Sequence, residues 1–260
     1  MPGYDYVTLT TDYGLSDGFV AACHGVIARF APGVRVIDIS HLVAPGDVNR
    51  GAAVLAQTVE HIPRAVHVAV VDPGVGTERR PVVLDTPEGI LIGPDNGVLM
   101  WAAEALGGVR AAYHLTNEKW FAGRVSRTFH GRDLFMPSAA RLALGAAVEE
   151  AGEQIDPASL VRLPDPVLAI GDGWLEAEVL TIDRFGNVQL AAEGRLLADL
   201  PGQMVVGGCR AIKGETFGDV PPGGLVVFPD SAARIAVAVN GGRAAVVLGV
   251  TPGDVVRITT

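Results

Sequence analysis

Residues 65–71 read Ala-Val-His-Val-Ala-Val-Val, apolar at every position but one, and no other stretch constrains the fold as strongly. The run is far too short to cross a membrane as a helix and suits a strand with both faces covered. Such a strand needs a layer on each side, and the flanking chain has the patterns to supply them. Residues 6–10 are a short β-prone run ending in Thr11-Asp12-Tyr13-Gly14. Residues 19–30 carry apolar side chains at helical spacing and stop at Ala31-Pro32-Gly33. Residues 34–39 read as another strand, and 47–62 as a helix ended by Pro63. These repeated strand–helix–strand units predict an α/β domain with a central, mostly parallel sheet flanked by helices.

The character changes at Leu163-Pro164-Asp165-Pro166, after a predicted helix over 138–145. Beyond it lie β-prone runs at 174–182, 202–206, 225–228, 235–239 and 255–259, separated by Gly- and Pro-rich turns. That pattern predicts a smaller antiparallel barrel or sandwich. The expected division is an N-terminal α/β domain over 1–163 and a C-terminal β domain over 168–260. A formal charge of −9 argues against non-specific nucleic-acid binding, which needs a basic face. Cys23 and Cys209 are the only cysteines and have no CxxC spacing, so a reducing, cytoplasmic setting is expected. The opening residues lack a basic segment followed by an apolar one, and polar residues, Gly and Pro break every apolar run. No leader and no membrane contact are therefore expected.

In open α/β sheets, ligands collect beyond the carboxyl ends of the strands. Three polar clusters follow strands: Thr11-Asp12, Asp72-Pro73-Gly74-Val75-Gly76-Thr77-Glu78-Arg79-Arg80, and Thr128-Phe129-His130-Gly131-Arg132-Asp133. Taken singly, Asp72 could be a turn residue tying off its strand, Arg79 and Arg80 solvated charges, and His130 an ordinary core histidine. Taken together, they offer a carboxylate, a guanidinium and an imidazole, a set able to bind and polarise water. The six histidines are scattered, with no HExxH spacing, so no metal site is expected. Neither a P-loop nor a GxSxG elbow occurs. Asp183-Arg184-Phe185-Gly186-Asn187 reads as a hairpin turn, or as a purine site in which Phe185 stacks and Asn187 meets a base edge.

These clusters occur in a fixed order with Ile92-Gly93-Pro94-Asp95-Asn96-Gly97, Asp230-Ser231 and Asn240-Gly241. The set resembles the S-adenosylmethionine hydrolase family (SAM hydroxide adenosyltransferases), relatives of fluorinases and chlorinases, over nearly the whole chain. The resemblance implies an N-terminal α/β domain, a C-terminal β-barrel, and a homotrimer with active sites between neighbouring subunits. It also implies hydrolysis of S-adenosyl-L-methionine to adenosine and L-methionine, a small-molecule reaction with no cofactor and no metal. By position, Asp72, Arg79 and His130 match the water-activating triad, Arg79 being preferred to Arg80 on motif spacing. Asp12 matches the ribose-gripping carboxylate. Phe185, Asn187 and Phe217 match adenine contacts, Asp183 and Ser231 methionine-end contacts, and Asn240 completes the substrate-binding set.

Halogenases of this family carry an aromatic hydroxyl at the position of Asp72, a serine at Gly131, a threonine at Val75 and a bulky aromatic at Gly46. Lacking those donors, this chain is expected to use water or hydroxide at ribose C5′ rather than a halide. Two positions depart from the family pattern: Ala232, where some relatives have an arginine, and Arg243, where a polar amide is usual. The competing expectation is a non-catalytic sensor of adenosine or S-adenosylmethionine, which would need Asp12, Phe185 and Asn187 but not the triad.

Overall fold

The computed structural model describes residues 3–259, which form two compact units dividing between Leu163 and Pro164. The first unit holds strands β1 (Tyr6–Thr11), β2 (Arg35–Ser40), β3 (Val66–Val70), β4 (Pro81–Asp85), β5 (Ile90–Pro94), β6 (Ala111–Leu115) and β7 (Gly152–Ile155). They make one sheet in the order β2-β1-β3-β5-β4-β6-β7. The β2, β1, β3 and β5 neighbours pair in parallel. Next, β4 and β6 reverse direction in turn and β7 reverses again, so five of the seven strands point one way.

Every residue of β3 is buried, and its alternation sorts the two layers. Val66, Val68 and Val70 pack with α1 (Phe19–Phe30) through Cys23, Val26 and Ile27. Ala69 packs on the other side with α2 (Val48–Val59) and α3 (Met100–Ala105). The fourth helix, α4 (Met136–Ala143), returns to the α1 side. Burying the three valines on the α1 side and Ala69 on the other is the main stabilising term, since each removes apolar surface from water on a strand with no exposed side.

Helix α1 has no side-chain N-cap and ends before Pro32, which cannot continue the hydrogen-bond ladder. Helix α2 begins at Asp47, whose carboxylate accepts from the Arg50 N–H, and ends at Val59. That end falls three residues short of the predicted 62, because His61 and Ile62 close tight turns onto Thr58 and Val59 instead.

His67, the one polar residue of β3, is 1 % exposed and its Nδ1 lies 3.0 Å from Thr8 Oγ1. Burial pushes its pKa down to about 4. The unfolded chain therefore takes up this proton near pH 6.5 while the fold resists it, and stability is lost as pH falls from 6.5 towards 4. The expected loss from this residue is about 3 kcal/mol. Urea unfolding at pH 7 and pH 4 should show the acid loss shrinking by that amount in His67→Gln, and an unchanged difference would assign it elsewhere.

The second unit contains β8 (Leu168–Gly171), β9 (Trp174–Ile182), β10 (Val188–Glu193), β11 (Gln203–Val206), β12 (Cys209–Lys213), β13 (Leu225–Pro229), β14 (Arg234–Val239) and β15 (Val255–Thr259), with one short helix, α5 (Ala244–Leu248). The order β10-β14-β13-β12-β11-β15-β9 closes through the β9–β10 pairing into a seven-stranded barrel, with β8 added to β9. Alternation along β9 sends Leu175, Ala177 and Val179 into the barrel core. One pair departs from the antiparallel expectation: β12 and β13 run parallel over Ile212↔Val226 and Lys213↔Val227. The connection between them passes through a 3₁₀ turn at Phe217–Asp219 and so brings β13 back in the same direction instead of folding as a hairpin. Cys23 and Cys209 are both free, and no helix among the described residues is long and apolar enough to cross a membrane.

Candidate active site

The site in the first unit is built where β1 and β3 end. β3 ends at Val70; the carbonyl of Val71, the next residue, accepts from Asn96 Nδ2 at 2.8 Å, and the chain turns at Asp72 as the Val75 N–H bonds back to the Asp72 carbonyl. The loop then returns Arg79 onto the Asp72 side chain. Arg79 Nε lies 3.0 Å from both carboxylate oxygens, and Nη2 donates to Oδ2. The same Nη2 lies 2.7 Å from His130 Nδ1. Asp72 and Arg79 side chains are only 4 % and 10 % exposed, so the pair is nearly dry. Such burial makes a charge-assisted bidentate pair both strong and costly to break.

The contact order is therefore Asp72–Arg79–His130, with the guanidinium between the other two. A guanidinium only donates, so His130 Nδ1 must accept, and its ring proton sits on Nε2. Burial first, and the Arg79 charge second, hold the His130 pKa below its usual value. His130 is neutral at pH 7, with its Nδ1 lone pair already engaged. It is thus a hydrogen-bond donor, not a free base. Arg79 Nη1 makes no hydrogen bond among the described residues.

His130 stands at the start of a π-helical turn, Gly131–Phe135, that runs directly into α4. Single π turns widen a helix locally and recur at functional sites. Asp133, buried within the turn, accepts from the Ser126 N–H and from Arg132, which ties down the 126–133 loop. Arg80, the neighbouring alternative to Arg79, is committed elsewhere. It donates to Asp95 and to the Ser159 carbonyl, while Asp95 also accepts from the Val161 N–H.

Asp12, just past β1, joins the same region. Its Oδ2 accepts from the Gly46 N–H at 2.8 Å. Gly46 has φ +75°, and a Cβ built there would stand 3.7 Å from Pro73, the neighbour of Asp72. The left-handed backbone explains why this position suits glycine rather than an aromatic residue. Tyr13 stands close enough to Asp12, Asp72 and Arg79 for their charges to act on its phenol, whose pKa burial raises well above the ordinary value. The sequence assigns Tyr13 no role, although it lies within the Thr11-Asp12-Tyr13-Gly14 cluster.

What Tyr13 does is fill the space beside Gly131. A Cβ at Gly131 would lie 2.2 Å from the Tyr13 hydroxyl oxygen. The Tyr13 ring is itself wedged among Phe19 and Phe129, with centroids 6.0 and 5.6 Å away. A serine at 131 thus meets a phenol instead of opening a halide cradle. Gly131→Ser is expected to destabilise the fold by about 1–3 kcal/mol through overpacking. Tyr13→Phe in the same chain should restore part of that loss, and strictly additive effects in urea unfolding would refute the contact.

The remaining predicted residues belong to the second unit. In the β9–β10 turn, Asp183 accepts from the Asn187 N–H at 2.9 Å and from its side-chain amide at 2.7 Å. Phe185 projects from this turn, 74 % exposed, with nothing to bury its ring. Arg243 packs against Gly186 and donates to the Arg184 carbonyl, so the unusual residue at 243 holds the turn. Asn240 spends its amide on the Val220 carbonyl at 2.7 Å, a loop-fixing bond. Phe217 is half exposed and edge-on to Phe228. Ser231 is exposed beside Asp230, whose carboxylate accepts from Gln189, Ala232 and Arg234. Asp183, Phe185 and Asn187 thus share one turn, and Phe217 and Ser231 sit on two others.

The SAM hydroxide adenosyltransferase N-terminal domain matches residues 7–152, and the C-terminal domain of the same name matches 177–257. The chain is 61 % identical over 259 residues, 100 % of this chain and 99 % of the relative, to an (R)-S-adenosyl-L-methionine hydrolase from Salinispora arenicola. To the protein of the same name from Thermus thermophilus it is 42 % identical, covering 97 % of this chain and 98 % of the relative. The fold matches the crystal structure of an uncharacterized conserved protein from Thermotoga maritima with TM-score 0.91 and 35 % identity, over 98 % of this chain and 100 % of that one.

Proposed function

The chain belongs to the SAM hydroxide adenosyltransferase family, and from that premise we propose that it hydrolyses S-adenosyl-L-methionine to adenosine and L-methionine. The observation that carries the reading is the guanidinium of Arg79 bridging Asp72 and His130. The reaction is an in-line displacement at ribose C5′. Methionine departs as a neutral thioether from a sulfonium, so departure needs no general acid. The protein's task is to hold one water opposite the C5′–S bond and to favour its hydroxide character.

The Arg79 guanidinium supplies the positive charge that favours hydroxide character in that water, and through Nη2 it fixes the neutral His130 ring beside it. His130 is not the proton acceptor, since Arg79 occupies its only lone pair. The carboxylate of Asp72 takes the proton through Oδ1, which accepts a single hydrogen bond where Oδ2 accepts two. Asp12 binds the ribose hydroxyls, Phe185, Asn187 and Phe217 the adenine, and Asp183, Ser231 and Asn240 the rest of the substrate. No cofactor is required, because the substrate carries its own activated leaving group.

The working assembly is a homotrimer with the active sites between neighbours. Leu15 and Leu42, 66 % and 71 % exposed near the Asp12 loop, support burial of this region by another copy. The two free cysteines support a cytoplasmic location.

Product analysis tests the reaction class. Purified protein incubated with S-adenosyl-L-methionine should form adenosine and methionine in equal amounts. Adding fluoride or chloride should leave those products unchanged, without any 5′-halogenated nucleoside. A halogenated product would overturn the choice of nucleophile, and binding without turnover would move the reading to a sensor.

A further inference from the structure

Three side chains from three segments meet beside the loop that carries Asp12. His24 lies in α1, Asp38 in β2, and His41 just after β2. Their ligating atoms all fall within 4.8 Å of one another. Asp38 Oδ1 is 2.8 Å from His24 Nε2 and 3.0 Å from His41 Nε2. Tetrahedral bonds of about 2.0–2.1 Å place ligand atoms roughly 3.3 Å apart, so small adjustments would admit an ion at the centre.

The decisive feature is His41. It is 5 % exposed, and its Nε2 has no hydrogen-bond partner despite the nearby carboxylate oxygen. A buried ring nitrogen left in this way normally carries a penalty. The other nitrogen is already engaged: Nδ1 lies 2.8 Å from the buried Thr11 Oγ1. Thr11 Oγ1 in turn accepts from the Tyr13 N–H. In the tautomer whose Nδ1–H donates to Thr11, the lone pair is on Nε2, the atom beside Asp38 Oδ1. This is the arrangement by which second-shell partners set the tautomer of a metal-bound histidine.

We propose that His24, Asp38 and His41 form a binding site for a divalent transition-metal ion of the zinc type. Two imidazoles and one carboxylate are a donor set for borderline ions, and not for Mg²⁺ or Ca²⁺, which favour oxygen. His24 and Asp38 side chains are 38 % and 39 % exposed, leaving an entry path and room for a water ligand. The site also reaches the substrate loop. Thr11 precedes Asp12, and the His41 carbonyl accepts from the Gly14 N–H at 2.8 Å, so His41 holds the segment on both sides of Asp12. An ion here would fix the turn from which Asp12 projects.

The test is calorimetric titration of the chelator-treated full chain with Zn²⁺, alongside thermal unfolding. One ion should bind per chain, raise Tm, and not be displaced by millimolar Mg²⁺. His24→Ala and Asp38→Asn, both at partly exposed positions, should each weaken binding at least about 100-fold, beyond the 10–100-fold typical of second-shell changes. Thr11→Val should weaken it by about 10-fold. Circular dichroism of each variant without metal should match the parent. Absence of saturable one-to-one binding would overturn the proposal. So would binding undiminished in His24→Ala and Asp38→Asn, or binding lost instead in His130→Ala.

Discussion

Asp72→Asn is expected to lower kcat by about 10²–10⁴-fold while changing adenosine affinity less than about 3-fold. The side chain is 4 % exposed, and all of its bonds from charged groups come from Arg79. Asparagine keeps the volume but removes the counter-charge and turns one acceptor into an N–H facing a guanidinium N–H. Arg79 would then lose the fork that aims its Nη2 at His130. Adenosine has no leaving group and needs no activated water, so its binding reports the rest of the site. Steady-state kinetics with a parallel adenosine titration separates the two. Small and equal changes in both would remove Asp72 from the chemistry.

Arg79→Leu should have the largest effect on the molecule as a whole. Removing one member of a nearly buried ion pair leaves the other charged and unpaired, a loss of about 3–5 kcal/mol. Urea unfolding should show that loss at pH 7, together with turnover reduced more than about 10²-fold. Arg79→Lys separates charge from geometry. Lysine restores a cation next to Asp72, but a point charge cannot span Asp72 and His130 together. It should recover much of the stability and little of the turnover. Recovery of turnover by lysine would show that the charge alone suffices and that the fork is unimportant.

Much of the fold was legible where a pattern was local and long enough. The 65–71 run points to β3 because apolar side chains at nearly every position need cover on both faces, and α1 is bounded by Pro32. The short elements were harder. Helix α3 has six residues, too few for a periodicity, and β4 and β5 flank a tight turn at 86–89 closed by Thr86. The π turn at Gly131–Phe135 was invisible because its extra residue breaks the 3.6 spacing that marks a helix. The parallel β12–β13 pairing depends on where a loop returns, which no local pattern encodes.

Motif order points to the site residues, whereas their relations depend on tertiary contact. Spacing favoured Arg79 over Arg80, but only the fold shows Arg79 on Asp72 and Arg80 on Asp95. Tyr13 gave no signal of its own, since its place is set by the missing side chain at Gly131, more than a hundred residues away. His24, Asp38 and His41 show no metal-site spacing in the sequence, because they come from a helix, a strand and a loop and not from one helical face.

The central claim is that water attacks C5′ of S-adenosyl-L-methionine. The most direct measurement is turnover in heavy-oxygen water, with both products weighed by mass spectrometry. The account predicts adenosine carrying one heavy oxygen and methionine carrying none. Unlabelled adenosine, or no adenosine above a protein-free control despite measurable substrate binding, would contradict it.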